Sequence, residues 1–521
     1  MKHYILHIFA FLTLLTSCSL FKKTTSSSNK RLTNDNQLDF TILQLNDVYE
    51  IAPIENGKAG GLARVATIRK QLLQENKNTI TVLSGDFVNP SIIGTLKFEG
   101  KGIKGRQMIE TMNALGVDYV TFGNHEFDLD LPDLQNRLNE SNFTWINNNA
   151  FLKQGDSISH FYKIKAGYKE DCPETLTLNL TDVDGTQLKL GIFGVVLDAN
   201  KKDYIQYKDA YNSAKTAVDL LSTQAADVTI GVTHLNFKQD LEIARQNPTV
   251  ALILGGHEHS NMKLKEGNVI ITKADANAKT VYVHKFHYDK STKYLQLDSK
   301  LVPINDQIQE DSAVAVIVKK WTDIAETNFM ANGIDPRGVV TDLKEPLDAR
   351  DEISRNQQCP IGAVVANAMI AAAKQKPDCA FFNGGSLRLD DVLRGKITQS
   401  DIVRLMPFGG SVFEMDILGS ELQKVLSTGP AGKGSGMYLQ WVGIQYNEST
   451  KSFQINNSPL DPAKQYHIAT NDYLFSGKAN GLDFFKPGNP NITNISKPNP
   501  TDTNDIRNDI RKTTIEYLKK H

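Results

Sequence analysis

The 521-residue sequence lacks several features that would set it apart from ordinary globular proteins. It has no excess of one charge, since 58 Lys and Arg face 59 Asp and Glu, so no general attraction to nucleic-acid polymers or anionic membranes is expected. It also lacks an apolar run of the roughly 20 residues that a membrane-spanning helix needs. Hydrophobic residues make up 40% of the chain, which argues against disorder, and the length is sufficient for about two or three domains.

The first 17 residues have the pattern of an export signal. Lys2 precedes an apolar run over residues 4–16, and the segment ends in Leu15-Thr16-Ser17-Cys18. It resembles a bacterial lipoprotein signal, which implies cleavage before Cys18, lipidation of that thiol and a membrane-anchored protein facing the periplasm or the cell surface. An ordinary secretory signal with an unrelated cysteine is the alternative. Residues 18–38, rich in Ser, Thr and Asn, are expected to be a flexible tether.

Cysteine is scarce, with four residues in the chain. Cys172, Cys359 and Cys379 remain if Cys18 is lipidated, and an odd number leaves at least one thiol without an intramolecular partner. A bridge between Cys359 and Cys379 is one interpretation. Buried free thiols that pack as small apolar side chains are the other. The spacing of these cysteines does not indicate a zinc knuckle or a redox pair.

From residue 40 onward, short apolar runs alternate with patterns of helical period. This alternation indicates a mostly parallel sheet whose crossover helices cover its faces. A second unit with helices and strands of its own begins near residue 347. The predicted strands of the first unit include residues 40–45, 79–83, 119–122, 228–232 and 250–254.

Polar residues of metal-ligand type follow these predicted strands one after another. Because open α/β sheets bind ligands at the carboxyl ends of their strands, we expect these side chains to meet at one edge. Carboxylate, amide and imidazole donors suit a pair of divalent ions such as Mn, Zn, Co, Fe or Mg. The residues are Asp47, Asp86, Asn124, His125, His234, His257 and His259.

The sequence blocks around these residues follow a characteristic order. They are Asn46-Asp47-Val48-Tyr49, Gly85-Asp86, Gly123-Asn124-His125-Glu126, Thr233-His234 and Gly256-His257-Glu258-His259. This order resembles the calcineurin-like metallophosphoesterases. Within that superfamily, the runs Gly60-Gly61-Leu62-Ala63-Arg64 and Asn383-Gly384-Gly385-Ser386-Leu387-Arg388 resemble the 5'-nucleotidase family.

The resemblance implies an α/β protein with two domains. Residues 39–305 would form a metallophosphoesterase sandwich of α/β/β/α layers. Residues 306–346 would form a connector helix and hinge. Residues 347–521 would form a smaller, mixed α/β domain that binds the substrate, while residues 1–17 and 18–38 would be the signal peptide and the tether.

The resemblance also assigns the metal ligands to two sites that share one carboxylate. The shared residue would be Asp86. The first site would be completed by Asp47 and His259, and the second by Asn124, His234 and His257. His125 and Asp128 would form the catalytic pair, in which Asp128 orients the imidazole that stabilises charge developing on the phosphate or the leaving oxygen.

The chain departs from the family pattern at one ligand position. The family has Asp-x-His in its first block, whereas Tyr49 stands where the histidine is expected, on the same strand face as Asp47. A neutral phenol is a poor metal ligand. The first ion would therefore bind weakly unless Tyr49 ionises against the metal or a neighbour such as Glu50 replaces it.

Six residues of the second domain correspond to substrate-binding positions of the family. Guanidinium groups recognise phosphate or ribose hydroxyls, and two opposed aromatic rings hold a base with little choice among bases. The six are Arg350, Arg355, Asn383, Arg388, Phe408 and Tyr473.

The resemblance thus implies an exported, membrane-anchored enzyme that hydrolyses nucleotide phosphoesters and releases nucleoside and phosphate. Two alternatives use the same scaffold, namely a 2',3'-cyclic phosphodiesterase and a nucleotide-sugar hydrolase. A nucleotide-binding lipoprotein without turnover is the third alternative, if Tyr49 abolishes the first metal site. The implied partners are the nucleotide and, through the lipid, a membrane. No nucleic-acid polymer or protein partner is implied.

Overall fold

The computed structural model describes residues 34–199, 201–389, 391–502 and 504–521. The export signal, most of the tether and Cys18 therefore lie outside the described residues. In the first half of the chain the helices are α1 Leu62–Glu75, α2 Arg106–Leu115, α3 Leu131–Glu140, α4 Ala210–Thr223, α5 Phe237–Gln246 and α6 Ser312–Ala331. The strands are β1 Gln37–Leu45, β2 Thr79–Ser84, β3 Lys97–Phe98, β4 Lys101–Gly102, β5 Tyr119–Thr121, β6 Thr144–Trp145, β7 Ala150–Gln154, β8 Ser157–Ser159, β9 Tyr162–Lys165, β10 Tyr168–Asp171, β11 Thr175–Thr181, β12 Gln187–Val196, β13 Ile205–Tyr207, β14 Val228–His234, β15 Leu252–Gly255, β16 Met262–Glu266, β17 Val269–Lys273, β18 Thr280–Asp289 and β19 Tyr294–Pro303.

These strands build two six-stranded sheets. The first has the order β19-β18-β1-β2-β5-β6, in which β1, β2, β5 and β6 run parallel and β18 and β19 are antiparallel. The second has the order β11-β12-β14-β15-β17-β16, with parallel central strands and an antiparallel strand at each edge. The carboxyl ends of the parallel strands in each sheet therefore lie at a common edge.

The alternation of side chains along each strand explains why the two sheets stack. In β1, Phe40 and Ile42 face the second sheet, whereas Leu43 and Leu45 face the helices. Phe40 stacks on Phe286 of β18, with ring centroids 4.3 Å apart. Helices α1, α2 and α6 cover the outside of the first sheet, and α4 and α5 cover the second. The result is the four-layer α/β/β/α arrangement that the resemblance implied.

The second half of the chain forms a smaller mixed unit around a five-stranded sheet. Its order is β24-β21-β28-β23-β29, while β20 pairs with β22 in a separate ribbon and β25, β26 and β27 form a third small sheet. The helices are α7 Asp351–Ser354, α8 Pro360–Ala372, α9 Gln399–Leu405, α10 Gly419–Ala431 and α11 Ile510–Leu518. The strands are β20 Val339–Asp348, β21 Cys379–Asn383, β22 Val392–Thr398, β23 Val412–Leu418, β24 Leu439–Val442, β25 Ile444–Asn447, β26 Ser452–Ile455, β27 Ser458–Pro459, β28 Gln465–Asn471 and β29 Ile492–Ser496.

The structure refines three details of the sequence analysis. Strands β24 and β25 are separated at Gly443, whose φ of 80° and close approach to the carbonyl oxygen of Asp378 require glycine. The expected connector of residues 306–346 contains most of β20, which pairs with the C-terminal strand β22. Cys359 and Cys379 are buried free thiols, so the structure does not contain the bridge considered above.

Helix α6 packs against the first unit. The Asp311 side chain caps its start by accepting hydrogen bonds from the backbone N–H groups of Ala313 and Val314. Trp321 is fully buried against α1 and α2, and its Nε1 donates to Glu110 Oε2 at 3.1 Å. Among the residues that the structure describes, no helix is both long enough and apolar enough to traverse a bilayer.

Trp321→Ala should lower the free energy of unfolding by about 3–5 kcal/mol, because it opens a cavity under α6 and removes the partner of Glu110. Urea unfolding followed by circular dichroism measures the change. Val316→Ala is the matched control, since Val316 lies on the same helix and is 70% exposed. Equal stability of the two variants would contradict the assigned packing.

Candidate metal centre

The predicted ligands come from the carboxyl ends of strands in both sheets. Asp47 follows β1, Asp86 follows β2 and Asn124 follows β5, while His234 ends β14 and His257 and His259 follow β15. Asp47, Asp86 and His257 have φ values of 53°, 54° and 82°. These left-handed conformations are unfavourable for residues with a side chain and recur at functional sites.

Glycines allow the two sheets to approach at this edge. A Cβ atom on Gly85 would lie 2.8 Å from His234 Nδ1 of the second sheet, and one on Gly256 would lie 2.2 Å from the carbonyl oxygen of Ser84 of the first sheet. Neither contact is sterically allowed. The glycine next to Asp86 and the glycine next to His257 are therefore required for the strand ends to meet.

Asp47, Asp86 and His234 form a buried cluster whose ligand atoms lie within 4.8 Å of one another. His234 Nδ1 donates to the carbonyl oxygen of Ser84 at 2.8 Å, which turns Nε2 toward Asp86 Oδ2 at 3.1 Å. His259 Nε2 lies 3.5 Å from Asp47 Oδ1. The backbone N–H of His257 donates to Asp47 Oδ2 at 2.9 Å. The bond from Nδ1 to the Ser84 carbonyl oxygen fixes Nε2 as the ring nitrogen of His234 that would face a metal.

Burial and neighbouring charges shift the pKa values of the side chains in the cluster. Burial alone would lower the pKa of His234, but Asp86 and Asp47 raise it to about 9. Burial would raise the pKa of Asp86, but His234 and His125 hold it below its ordinary value. Burial and the neighbouring His234 lower the pKa of His257 to about 3. The carboxylates thus attract positive charge, and oxygen and imidazole donors of this kind fit a divalent cation.

Tyr49 lies inside this cluster. Its hydroxyl oxygen is 3.2 Å from Asp86 Oδ2, 3.4 Å from Asp47 Oδ1 and 3.1 Å from His259 Nε2. Burial raises the pKa of Tyr49 well above its ordinary value, and Asp86 and Asp47 raise it further. The next residue, Glu50, does not take this position. Instead, its Oε1 lies 3.8 Å from Arg404 Nε of the C-terminal unit.

The structure brings together His125 and Asp128, the pair that the resemblance implied. His125 Nδ1 lies 2.7 Å from Asp128 Oδ2, across the short 3₁₀ turn Glu126–Asp128. Since a carboxylate only accepts, Nδ1 carries the proton and donates it to Asp128. Asn89 Nδ2 also donates to Asp128 Oδ2, at 3.0 Å. The His125 backbone N–H donates to Asp86 Oδ1 at 2.8 Å, which joins the pair to the metal cluster.

Arg388 brings the C-terminal unit into the centre. Its Nη2 lies 3.0 Å from His125 Nε2. Sequence separation between the two residues is 263 positions, so the contact depends on how the two halves of the chain pack. Arg388, a predicted substrate residue, thus directly contacts His125 of the predicted catalytic pair.

The other predicted substrate residues lie elsewhere in the C-terminal unit. Arg350 binds Asp348 through two nitrogens, and Arg355 pairs with Asp351, so each guanidinium has an acidic partner in its own segment. Asn383 Oδ1 accepts hydrogen bonds from Asn471 and Ser386. Phe408 and Tyr473 are 56% and 48% exposed, which is unusual for large aromatic side chains.

Phe408 and Tyr473 occupy neighbouring loops. The Asp472 backbone N–H donates to the Ser411 carbonyl oxygen at 3.0 Å, and the Ser411 N–H donates to Asp472 Oδ2 at 3.0 Å. These bonds extend the pairing of β23 with β28 beyond the strand ends. The arrangement is suited to binding a flat ring from solvent.

A cleft of about 1110 Å³ separates the two halves of the chain. Its walls include residues 52–58, helix α6 and strand β22. A smaller recess beside it is lined by Tyr49, Arg388 and Pro407, and both cavities are lined by Glu50 and Arg404. Tyr49 and Arg388 therefore lie beside the space between the two units.

Two buried polar groups that hold the centre together were missed by the sequence analysis. The Glu126 carboxylate accepts the backbone N–H groups of Asp86, Phe87, Val88 and Gly123 at 2.6–2.9 Å. Burial and the Asp86 carboxylate raise the pKa of Glu126 to about 7. The resemblance included this residue within a motif, but only the structure gives it this positioning role.

Lys273 is the second such group. It is fully buried at the end of β17, and its Nζ donates to the carbonyl oxygens of Leu235 and Gly256 at 2.6 and 2.7 Å. It also pairs with Asp240 at 2.7 Å and with Glu258. Lys273 thereby ties together the loops that carry His234, His257 and His259. Burial would lower the pKa of Lys273, but Asp240 and Glu258 raise it.

Comparisons with known proteins agree with this geometry. Residues 40–261 match the family described as calcineurin-like phosphoesterase, and residues 338–487 match the 5'-nucleotidase C-terminal domain. The chain is similar to the trifunctional nucleotide phosphoesterase protein YfkN of Bacillus subtilis (strain 168), with 24% identity over 506 residues. That alignment covers 86% of this chain and 32% of the relative, so the chain spans about a third of that protein.

Two further comparisons cover most of both chains. A 5'-nucleotidase of Diplobatis ommata is 26% identical over 501 residues, covering 84% of this chain and 82% of the relative. The crystal structure of a 5'-nucleotidase precursor from Thermus thermophilus superimposes with a TM-score of 0.69 at 19% identity, covering 93% of this chain and 96% of that one. The structural similarity establishes the fold of both halves.

Lys273→Met should destabilise the protein by about 3–5 kcal/mol, because it leaves the buried Asp240 carboxylate without its cation. The double variant Lys273→Met with Asp240→Leu should recover part of that loss, since it removes both charges. Denaturant unfolding of the metal-free protein measures the free energy of unfolding of both variants. A double variant that is less stable than Lys273→Met would contradict the assigned charge pairing.

Proposed function

This chain belongs to the metal-dependent phosphoesterases that join a calcineurin-like phosphoesterase domain to a 5'-nucleotidase C-terminal domain, and we propose that it hydrolyses nucleotide phosphoesters as a 5'-nucleotidase. The family and the fold class predicted from the sequence are thereby confirmed. The proposed products are a nucleoside and inorganic phosphate.

The observation that carries the proposal is the contact between Arg388 and His125, at 3.0 Å. A guanidinium group from the C-terminal unit thus faces the catalytic pair beside the metal cluster. Guanidinium groups bind phosphate oxygens through paired hydrogen bonds. A phosphate between the two units would therefore be in reach of groups from both.

The proposed cofactor is a pair of divalent ions. Asp47, Asp86 and His259 would hold the first, and Asp86, Asn124, His234 and His257 the second. When bound, the ions would supply positive charge to the phosphoryl oxygens and activate the attacking water.

The chain's own residues would orient the ester and balance its charge. Asp128 holds the Nδ1 proton of His125, which leaves Nε2 facing the position of the phosphate. In the structure Nε2 accepts a hydrogen bond from Arg388 Nη2. When the substrate phosphate takes over the Arg388 guanidinium, Nε2 would take up a proton from solvent and give it to the leaving 5' oxygen, while Arg388 stabilises charge on the phosphoryl oxygens. Arg350, Arg355 and Asn383 are proposed to contact the rest of the nucleotide.

The exposed rings of Phe408 and Tyr473 support the nucleoside part of the proposal. They would hold the base between two aromatic faces. Stacking of this kind tolerates different bases, so we propose a broad preference among nucleoside monophosphates.

We further propose that the protein acts outside the cytoplasm, as a lipoprotein anchored through Cys18. The proposal rests on the sequence of residues 1–18, which lie outside the described residues. Nucleotides do not cross membranes readily. An exported nucleotidase would therefore serve to recover nucleosides and phosphate.

Metal-stripped protein from residue 19 onward should release phosphate from AMP or UMP only after addition of Mn, Co, Zn or Mg. His125→Ala should lower kcat by about 10²–10⁴-fold, because it removes the proton donor. A phosphate assay with ADP, 2',3'-cAMP and UDP-glucose alongside ranks the alternative substrates. Preferential turnover of either of the last two would replace the 5'-nucleotidase proposal.

If no substrate is hydrolysed with any metal while AMP still raises the melting temperature, the protein is a nucleotide-binding lipoprotein without turnover. This result would contradict the proposed activity.

Phe408→Ala and Tyr473→Ala should each raise KM for AMP by about 5–100-fold, because each removes about 1–3 kcal/mol of base stacking. Hydrolysis of ribose 5-phosphate should change much less, since it carries no aromatic ring to stack on the pair. Parallel kinetics on the two substrates measure the difference. Equal losses on both would indicate that the aromatic residues act through folding and not through the base.

A further inference from the structure

Tyr49 is held firmly within the metal cluster. The Asn277 side-chain oxygen accepts the backbone N–H groups of Tyr49 and Glu50, at 2.9 and 3.2 Å. The Tyr49 and His259 rings lie beside each other, with centroids 5.4 Å apart. The phenol oxygen is thereby fixed between groups assigned to the first metal site.

The hydrogen atoms available cannot satisfy this arrangement. Tyr49 has one hydroxyl hydrogen, yet its oxygen lies close to both Asp47 Oδ1 and Asp86 Oδ2. A carboxylate oxygen only accepts hydrogen bonds. When both carboxylates are ionised, one of them faces the lone pairs of the phenol oxygen, and a cation between them would turn that repulsion into attraction.

The distances also agree with donors arranged around a common centre. Four donors about 2.0–2.2 Å from one ion in tetrahedral geometry lie about 3.3–3.6 Å apart. The Tyr49 oxygen is 3.1–3.4 Å from its three neighbours, and Asp47 Oδ1 is 3.5 Å from His259 Nε2. Asp86 Oδ2 faces both Tyr49 and His234, as an oxygen shared between two ions would.

We propose that Tyr49 is a ligand of the first ion and binds it through its phenol oxygen, together with Asp47, Asp86 and His259. The inference rests on the proposed two-metal site. A divalent cation among these carboxylates reverses the local potential and favours the ionised oxygen. Coordination releases the phenolic proton to solvent, so one proton leaves Tyr49 for each first ion bound.

This ligand changes the chemistry of the first site. Asp47, Asp86 and Tyr49 present three anionic oxygens with one imidazole. Such a set favours harder ions such as Mn or Fe more than a set in which an imidazole takes the place of the phenol. Tyr49 would thus strengthen the first site for hard ions, whereas the sequence alone left a weakened site as the alternative.

The test uses Zn²⁺, which has no absorption of its own, added to metal-stripped protein. Near-UV difference spectra report ionised tyrosine, and equilibrium dialysis counts bound ions. Wild type should bind two ions and show the tyrosinate signal. Tyr49→Phe should lose the signal and bind one of the ions about tenfold or more weakly.

Two further variants make the test specific. Tyr282→Phe is the matched control, because the Tyr282 hydroxyl contacts the Met262 carbonyl oxygen away from the cluster, and it should retain the full signal. Tyr49→His should restore binding of the ion in the first site, without the tyrosinate signal. An unchanged signal in Tyr49→Phe, or zinc binding by wild type without any signal, would overturn the proposal. A failure of wild type to bind zinc would overturn it as well.

These readouts do not depend on turnover. A tyrosinate signal in a protein that releases no phosphate would keep Tyr49 as a ligand and contradict the proposed hydrolysis. Phosphate release without the tyrosinate signal would support the proposed hydrolysis and contradict the assignment of Tyr49 as a ligand.

Discussion

The burial of two adjacent carboxylates, on Asp47 and Asp86, is the constraint on which the rest of the centre depends. Two negative charges shielded from water are costly unless positive charge or hydrogen-bond donors meet them. Backbone N–H groups of His125 and His257 donate to these carboxylates, and His234 takes up a proton beside them. The arrangement is complete when cations replace that proton, which is why the site is best understood as a metal centre.

The stacked sheets make this burial possible, because every ligand is attached to the end of a strand whose position the core already determines. Gly85 and Gly256 let the two sheets converge, and Glu126 and Lys273 fix the loops between them. The metal-binding geometry is therefore largely a property of the first unit. The C-terminal unit adds Arg388 and the exposed aromatic pair, so the proposed substrate recognition depends on how the two units meet.

Much of this could be predicted from the sequence, because strand-end positions such as Asp47, Asp86 and His234 are local signals. The contact of His125 with Asp128 was implied by the family resemblance, and their separation of three residues lets one turn bring the two side chains together. The burial of Lys273 and the contact of Tyr49 with three ligands could not be predicted, since each depends on residues distant in sequence or on the opposite sheet.

The central claim is that strand ends of both sheets hold two ions while the C-terminal unit presents a nucleotide to them. Anomalous diffraction from crystals grown with Mn²⁺ and a non-hydrolysable AMP analogue tests it most directly. The account predicts two manganese peaks that share Asp86, with the phosphate near Arg388 and the base between Phe408 and Tyr473. A single peak or none, or a base bound elsewhere, would contradict it.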